Sequence, residues 1–132
     1  SLPLYEAKMI HQFDHRWATY AADGSGDVSP DQKQDPAFIV TPRYWVEAAE
    51  VEARLRDKGW ERGWLMGWRD ICRATDERTV IAGLIPTVGV GNKMPLFLFG
   101  PSIQPRQAAA FYGNLAALAF DFVAGRRLAA RP

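Results

Sequence analysis

A chain of 132 residues, 48% hydrophobic and 23% charged, has the composition of an ordinary globular protein with room for one cored domain and hardly for two. Its formal net charge of +1 is low for a free-standing nucleic-acid binder, although a recognition module held on DNA by a neighbouring basic domain needs no excess. The longest apolar stretch, 108–124, is interrupted by Tyr112, Gly113, Asn114 and Asp121, which argues against a membrane span, and the lone Cys72 excludes an internal disulfide and fits a reducing cytoplasm.

No charged segment followed by an apolar one opens the chain, so no export signal is expected. From Tyr5 to Arg16, large apolar and polar side chains alternate, the pattern of a half-buried strand that exposes a row of hydrogen-bonding groups. Strand signals cover residues 4–20, read as two short strands bent near Asp14. Residues 21–36 hold Gly24, Gly26, Pro30 and Pro36 among Asp23, Asp27, Asp31 and Asp35, and predict a flexible acidic loop without core residues. Such a loop is either an insertion or a DNA-contacting segment, and its four acids favour the insertion because phosphate repels them.

Phe38-Ile39-Val40 reads as a short strand, and Thr41 as the N-cap of a helix with Pro42 in its first position. Trp45, Ala48, Ala49, Glu52 and Leu55 mark one face of that helix, and Gly59 ends it. Its balanced charges suit a solvated outer face. Trp60, Trp64 and Trp68 alternate with Gly59, Gly63 and Gly67; glycine at that spacing penalises a helix, so residues 64–69 are expected to form a strand. These tryptophans could stack on bases, but core packing is the default for them. Residues 78–85 read as a buried strand ended by Pro86, 88–92 as a turn-rich connection, and 95–99 as another strand. From Arg106 to Leu128, Phe111, Leu115, Leu118, Phe122 and Val123 recur at helical steps. The fold expected is therefore α+β: a twisted, mostly antiparallel sheet with one charged helix and one long amphipathic C-terminal helix. The chain starts almost directly in a strand and stops at Ala129-Ala130-Arg131-Pro132, and so reads as a single-domain piece of a larger polypeptide.

Chemistry is read from the polar row first. Lys8, His11, Gln12 and Arg16 can address phosphates and base edges. Asn92, in the 88–92 connection, joins them. Arg69, Arg73 and Arg78 could grip phosphate or read guanine, or form an internal ion-pair web with Asp70, Asp76 and Glu77; the web is favoured for Arg78, while Arg73 stays a DNA candidate. The expected DNA contacts are thus Lys8, His11, Gln12, Arg16, Arg73 and Asn92. Glu6-Ala7-Lys8 matches half of a metal-dependent nuclease motif but lacks the upstream acid that would share the metal. His11, Asp14 and His15 fall short of a metal-ligand set, and Cys72 has no evident base. Val88-Gly89-Val90-Gly91-Asn92-Lys93 lacks the Gly-Lys-Ser/Thr ending of a phosphate loop. No catalytic residue, metal or cofactor site is expected in this chain.

Three blocks also resemble one family in the same order. The first is Pro3 to Arg16. The second is Gly67-Trp68-Arg69-Asp70-Ile71 followed by Ala74-Thr75-Asp76-Glu77-Arg78-Thr79-Val80-Ile81-Ala82 and closing at Pro86, similar to Arg-Asp-Ile and Asn-Glu-Arg-Thr signatures with Asp76 where Asn is commoner. The third, Asn114 to Val123, is similar to a helix carrying an aromatic-Asp pair. The family is that of Eco57I-like, type IIG restriction–modification N6-adenine DNA methyltransferases, in the target-recognition region shared with the TaqI-like specificity domain. The resemblance implies a double-stranded DNA partner and an upstream catalytic domain that binds S-adenosylmethionine and flips the target adenine toward an Asn/Asp-Pro-Pro-Tyr motif. This chain has no such tetrapeptide, so the resemblance leaves it recognition without methyl transfer. The resemblance also implies the rest of the parent polypeptide as a partner, and apolar surface at the cut faces of such a piece could pair it with a second copy. A scaffold or protein-interaction domain of the same enzyme that touches no DNA is the alternative, favoured by the near-zero charge and the acidic loop.

Overall fold

The computed structural model describes residues 1–71 and 77–129. Its elements are β1 (Leu2–Tyr5), a 3-10 helix (Ala7–Met9), β2 (Ala18–Ala21), β3 (Gly24–Asp27), α1 (Pro30–Gln34), β4 (Tyr44–Val46), α2 (Ala48–Asp57), β5 (Trp64–Trp68), β6 (Ala82–Pro86), β7 (Gly89–Val90), β8 (Leu96–Phe97), α3 (Pro105–Ala116) and α4 (Leu118–Ala129). The class is α+β. The strands are divided among three small sheets, ordered β4-β1-β7, β2-β3 and β6-β5-β8, and all pairings are antiparallel except β1 with β7.

The first strand is shorter than the alternation of residues 5–16 predicts. Met9 and Ile10 are both fully buried, and two consecutive side chains can enter one core only if the backbone leaves the two-residue period of a strand. The 3-10 turn does this, with the Glu6 N–H donating to Met9 Sδ at 3.4 Å. Beyond it, His11 and Asp14 exchange backbone hydrogen bonds of 2.8 and 3.0 Å across a tight turn, so His11 and Gln12 sit in a turn and not on a strand.

Residues 21–36, expected as a core-free acidic loop, hold β3 and α1 and bury Val28. Ser29 caps α1 by accepting from the Gln32 N–H, and Pro30 occupies the first turn. The helix predicted after Thr41 begins later, at Ala48. Residues 44–46 pair with β1 instead, and the Thr41 carbonyl accepts from the Tyr20 N–H, so strand pairing displaces the local capping signal. Residues 38–40 are not a strand.

The β5–β6 pair matches the expected strands most closely, with Met66 facing Leu84 and Gly67 facing Gly83, although β6 starts at Ala82 and not at residue 78, includes Pro86 and leaves Leu84 exposed. Both glycines serve close approach: a Cβ on Gly67 would lie 3.1 Å from Met94 Cγ and from the Pro95 carbonyl oxygen, and one on Gly83 would lie 3.3 Å from Ile10 Cδ1. One core cluster gathers Tyr5, Met9, Ile10, Leu65, Ile85 and Met94; another joins Met66 and Ala82 to α3 through Ala108, Tyr112 and Leu115. Trp64 and Phe99 pack against both clusters, and Trp60 is buried with its indole N–H on the Trp64 carbonyl at 2.9 Å, so these tryptophans are core residues.

The long C-terminal helix is two helices bent by 59° at Ala117. Arg78 donates to the Ala116 carbonyl at 2.6 Å, replacing the intrahelical donor that a continuous helix would supply. Among the described residues no single helix is long and apolar enough to cross a membrane.

Candidate nucleic-acid interface

Three of the four DNA candidates of the polar row, His11, Gln12 and Arg16, turn inward. Arg16 donates to the carbonyls of Lys33 at 2.7 Å, Asp35 at 3.0 Å and Phe38 at 3.1 Å, which fixes the segment following β3 against the turn. Gln12 donates its amide to the Val80 carbonyl at 3.1 Å. The His11 ring lies 4.5 Å from that of Trp17, and burial, together with the nearby Arg69 guanidinium, holds its pKa below the ordinary value. Asp14 accepts from Lys33 at 2.6 Å and from the Arg16 N–H at 2.8 Å; these contacts outweigh burial and bring its carboxyl below its ordinary range. The groups that the row offers to a ligand are therefore largely engaged with the protein itself.

Arg69 and Arg78 are likewise internal; among the described residues neither pairs with Asp70 or Glu77, and Asp76, the third acid of the expected web, lies outside the described residues. Arg69 donates to the carbonyls of Ala7 at 3.1 Å and Ile10 at 2.6 Å, closing the 3-10 turn. Arg78 faces Asp121 at 3.4 Å, and the same carboxylate oxygen of Asp121 accepts the Thr79 and Val80 N–H groups at 2.9 and 2.8 Å. Arg73 and Cys72 lie outside the described residues. Asn92 is exposed on the rim of a groove of about 570 Å³ between α2 and the β7–β8 connection, next to Gly91, whose N–H donates to the Tyr5 carbonyl at 2.8 Å.

Lys8 is different. It projects from the exposed side of the 3-10 helix with its ammonium 5.0 Å from the centre of the Tyr20 ring. Arg43 reaches the same ring from the segment before β4, also at 5.0 Å, and lies 5.7 Å from the Tyr44 ring. Neither cation has a carboxylate within ion-pair distance among the described residues; the charged Arg43 guanidinium is favoured first by the Tyr44 side chain, then by Tyr20, and less by Glu6 through space. Sequence reasoning missed Arg43, Tyr20 and Tyr44 because Thr41-Pro42 looked like a helix start. The signal that could have found them is the basic–aromatic run Arg43-Tyr44-Trp45, which suits an exposed strand better than a packed helix face. The described residues contain no group of His, Cys, Asp and Glu able to hold a metal, and Lys8 of the nuclease-like Glu6-Ala7-Lys8 faces a tyrosine ring.

Comparison with protein-family models, curated proteins and solved structures found no match to this chain.

Proposed function

We propose that the chain is the DNA-recognition module of a restriction–modification adenine-specific DNA methyltransferase, working in the cytoplasm beside a separate catalytic domain that binds S-adenosylmethionine. The observation that carries the DNA contact is the convergence of Lys8 and Arg43, from two segments distant in sequence, on the Tyr20 ring without carboxylate partners among the described residues. Cations so placed are available to phosphate. The assignment to the methyltransferase rests on the three blocks and gains support from their contacts: Arg69 of the second binds carbonyls of the first, and Arg78 of the second faces Asp121 of the third.

Fluorescence anisotropy with a random-sequence duplex at low and moderate salt tests this reading. Binding that weakens with salt is expected, and K8A/R43A should lower the salt slope by about 2. Absence of binding at low salt, or binding indifferent to both cations, would overturn it. A second reading, a scaffold domain that docks on the rest of the enzyme or on a second copy, is favoured by α4, which leaves Leu118 73%, Phe122 64% and Val123 55% exposed.

A further inference from the structure

The outer strand β4 presents large aromatic side chains to solvent. Tyr44 is 53% and Trp45 61% exposed, and β4 forms the edge of the β4-β1-β7 sheet. Successive strand residues point to opposite faces, so the two rings do not form one platform. Tyr44 faces the same way as its partner Leu4, and Trp45 the same way as Pro3. It is Tyr44 that has the Arg43 guanidinium beside its ring, and Arg43 in turn shares the Tyr20 ring with Lys8. An exposed aromatic face thus adjoins one cation, Arg43, which meets a second, Lys8, at the Tyr20 ring, and neither has an acidic partner among the described residues.

The two halves of this surface ask for different parts of one ligand. The cations suit a phosphodiester. The ring suits the flat face of a base, and in a matched duplex those faces are covered by neighbouring bases. We propose that Tyr44, Lys8 and Arg43 form a site for an unstacked nucleotide, with the base on the Tyr44 ring and the flanking phosphate between the two cations. The inference rests on the DNA reading above and extends it from the double helix to a single-stranded or bulged position. Trp45, on the other face of the strand, lies outside the site.

Anisotropy titrations with an oligothymidylate, a duplex carrying one bulged thymidine and the matched duplex would test it in the wild-type chain and in Y44A, Y44F, W45A and K8E/R43E. The wild type is expected to prefer the unpaired probes by about tenfold, the scale of one base–aromatic stack. Y44A should abolish that preference, bringing the affinity for the unpaired probes down to that for the matched duplex, while Y44F and W45A should keep it. K8E/R43E should weaken binding to all three probes. Equal affinity of the wild type for matched and unpaired probes, a preference that survives Y44A, or one that W45A removes would overturn the site without touching the duplex reading. Tyr44-dependent binding of oligothymidylate with no matched-duplex binding would uphold the site and overturn the duplex reading. Failure to bind any probe at low salt would overturn both.

Discussion

Lys8 and Arg16 stand in one polar row of the sequence, yet the regions that receive them treat positive charge in opposite ways. Around the turn that follows the 3-10 helix, Arg16 and Arg69 point into the protein and hold the carbonyls of residues 7, 10, 33, 35 and 38. Beside β4, Lys8 and Arg43 rest on aromatic rings. The difference follows from backbone geometry. Short turns and irregular segments leave carbonyls without a helical or ladder donor, and a planar guanidinium with five N–H groups can satisfy several of them at once. The surface beside β4 has its backbone paired through the β1–β4 ladder, so its cations are left to aromatic faces and solvent. A cation in a promising motif therefore speaks for ligand binding only once the neighbouring carbonyls have been supplied.

This division can be broken most forcefully at Arg69. Arg69→Ala leaves two carbonyls of a largely buried turn without their charged donor and is expected to lower stability by about 4 kcal/mol in urea unfolding, with Arg69→Lys recovering only part. Normal stability with lost DNA binding would place Arg69 in the outward group. Asp121→Ala comes next. It removes the acceptor of two backbone N–H groups and the partner of the half-buried Arg78, and is expected to cost about 3 kcal/mol. Native-state hydrogen exchange at Thr79 and Val80 should accelerate with it; unchanged exchange would mean that α4 is held by other contacts. Arg16→Ala, whose carbonyl partners are less buried, should cost about 2 kcal/mol, whereas Lys8→Ala should stay within about 0.5 kcal/mol of the wild type. Equal destabilisation by the two would erase the distinction.

What could be read from the sequence was local. The β5 and β6 strands show in their apolar runs and bounding glycines and proline, and the body of α2 shows in its spacing. The 3-10 turn, the parallel β1–β7 pairing and the bend at Ala117 escaped because each depends on distant partners: Arg69 for the turn, Tyr5 facing Val90 for the pairing, and Arg78 at the Ala116 carbonyl for the bend. The α4 helix adds a reversal. Its polar Asp121 is the side chain that docks, and a Cβ on Gly125 would come within 2.9 Å of Thr79 Oγ1, while Leu118, Phe122 and Val123 face out. An amphipathic pattern predicts the apolar face inward and has no means of registering a polar anchor. The candidate site divides in the same way. Residue type marked Lys8 and Arg16 as equals, and only the positions of carbonyls and rings separate them.

The smallest expected effect sharpens the comparison through pH. His11 sits in the inward region, and burial first, then Arg69, holds its pKa below the ordinary 6.5. The unfolded chain therefore binds a proton that the folded chain resists, so stability should fall as pH drops through about 6.5 and level off below the folded-state value. Asp14 acts in a lower window: its carboxyl lies below its ordinary 3.8, so the stability it contributes is present above that value and is lost as pH falls through the folded-state pKa. Urea midpoints between pH 8 and pH 3 should show both declines, and His11→Gln should flatten the upper one while leaving the lower in place. A duplex-binding isotherm, corrected for the folded fraction, should not follow the upper decline, because the site of Lys8 and Arg43 contains no histidine. Binding that strengthens as His11 takes its proton would instead bring the inward turn into contact with phosphate and dissolve the separation between the two regions.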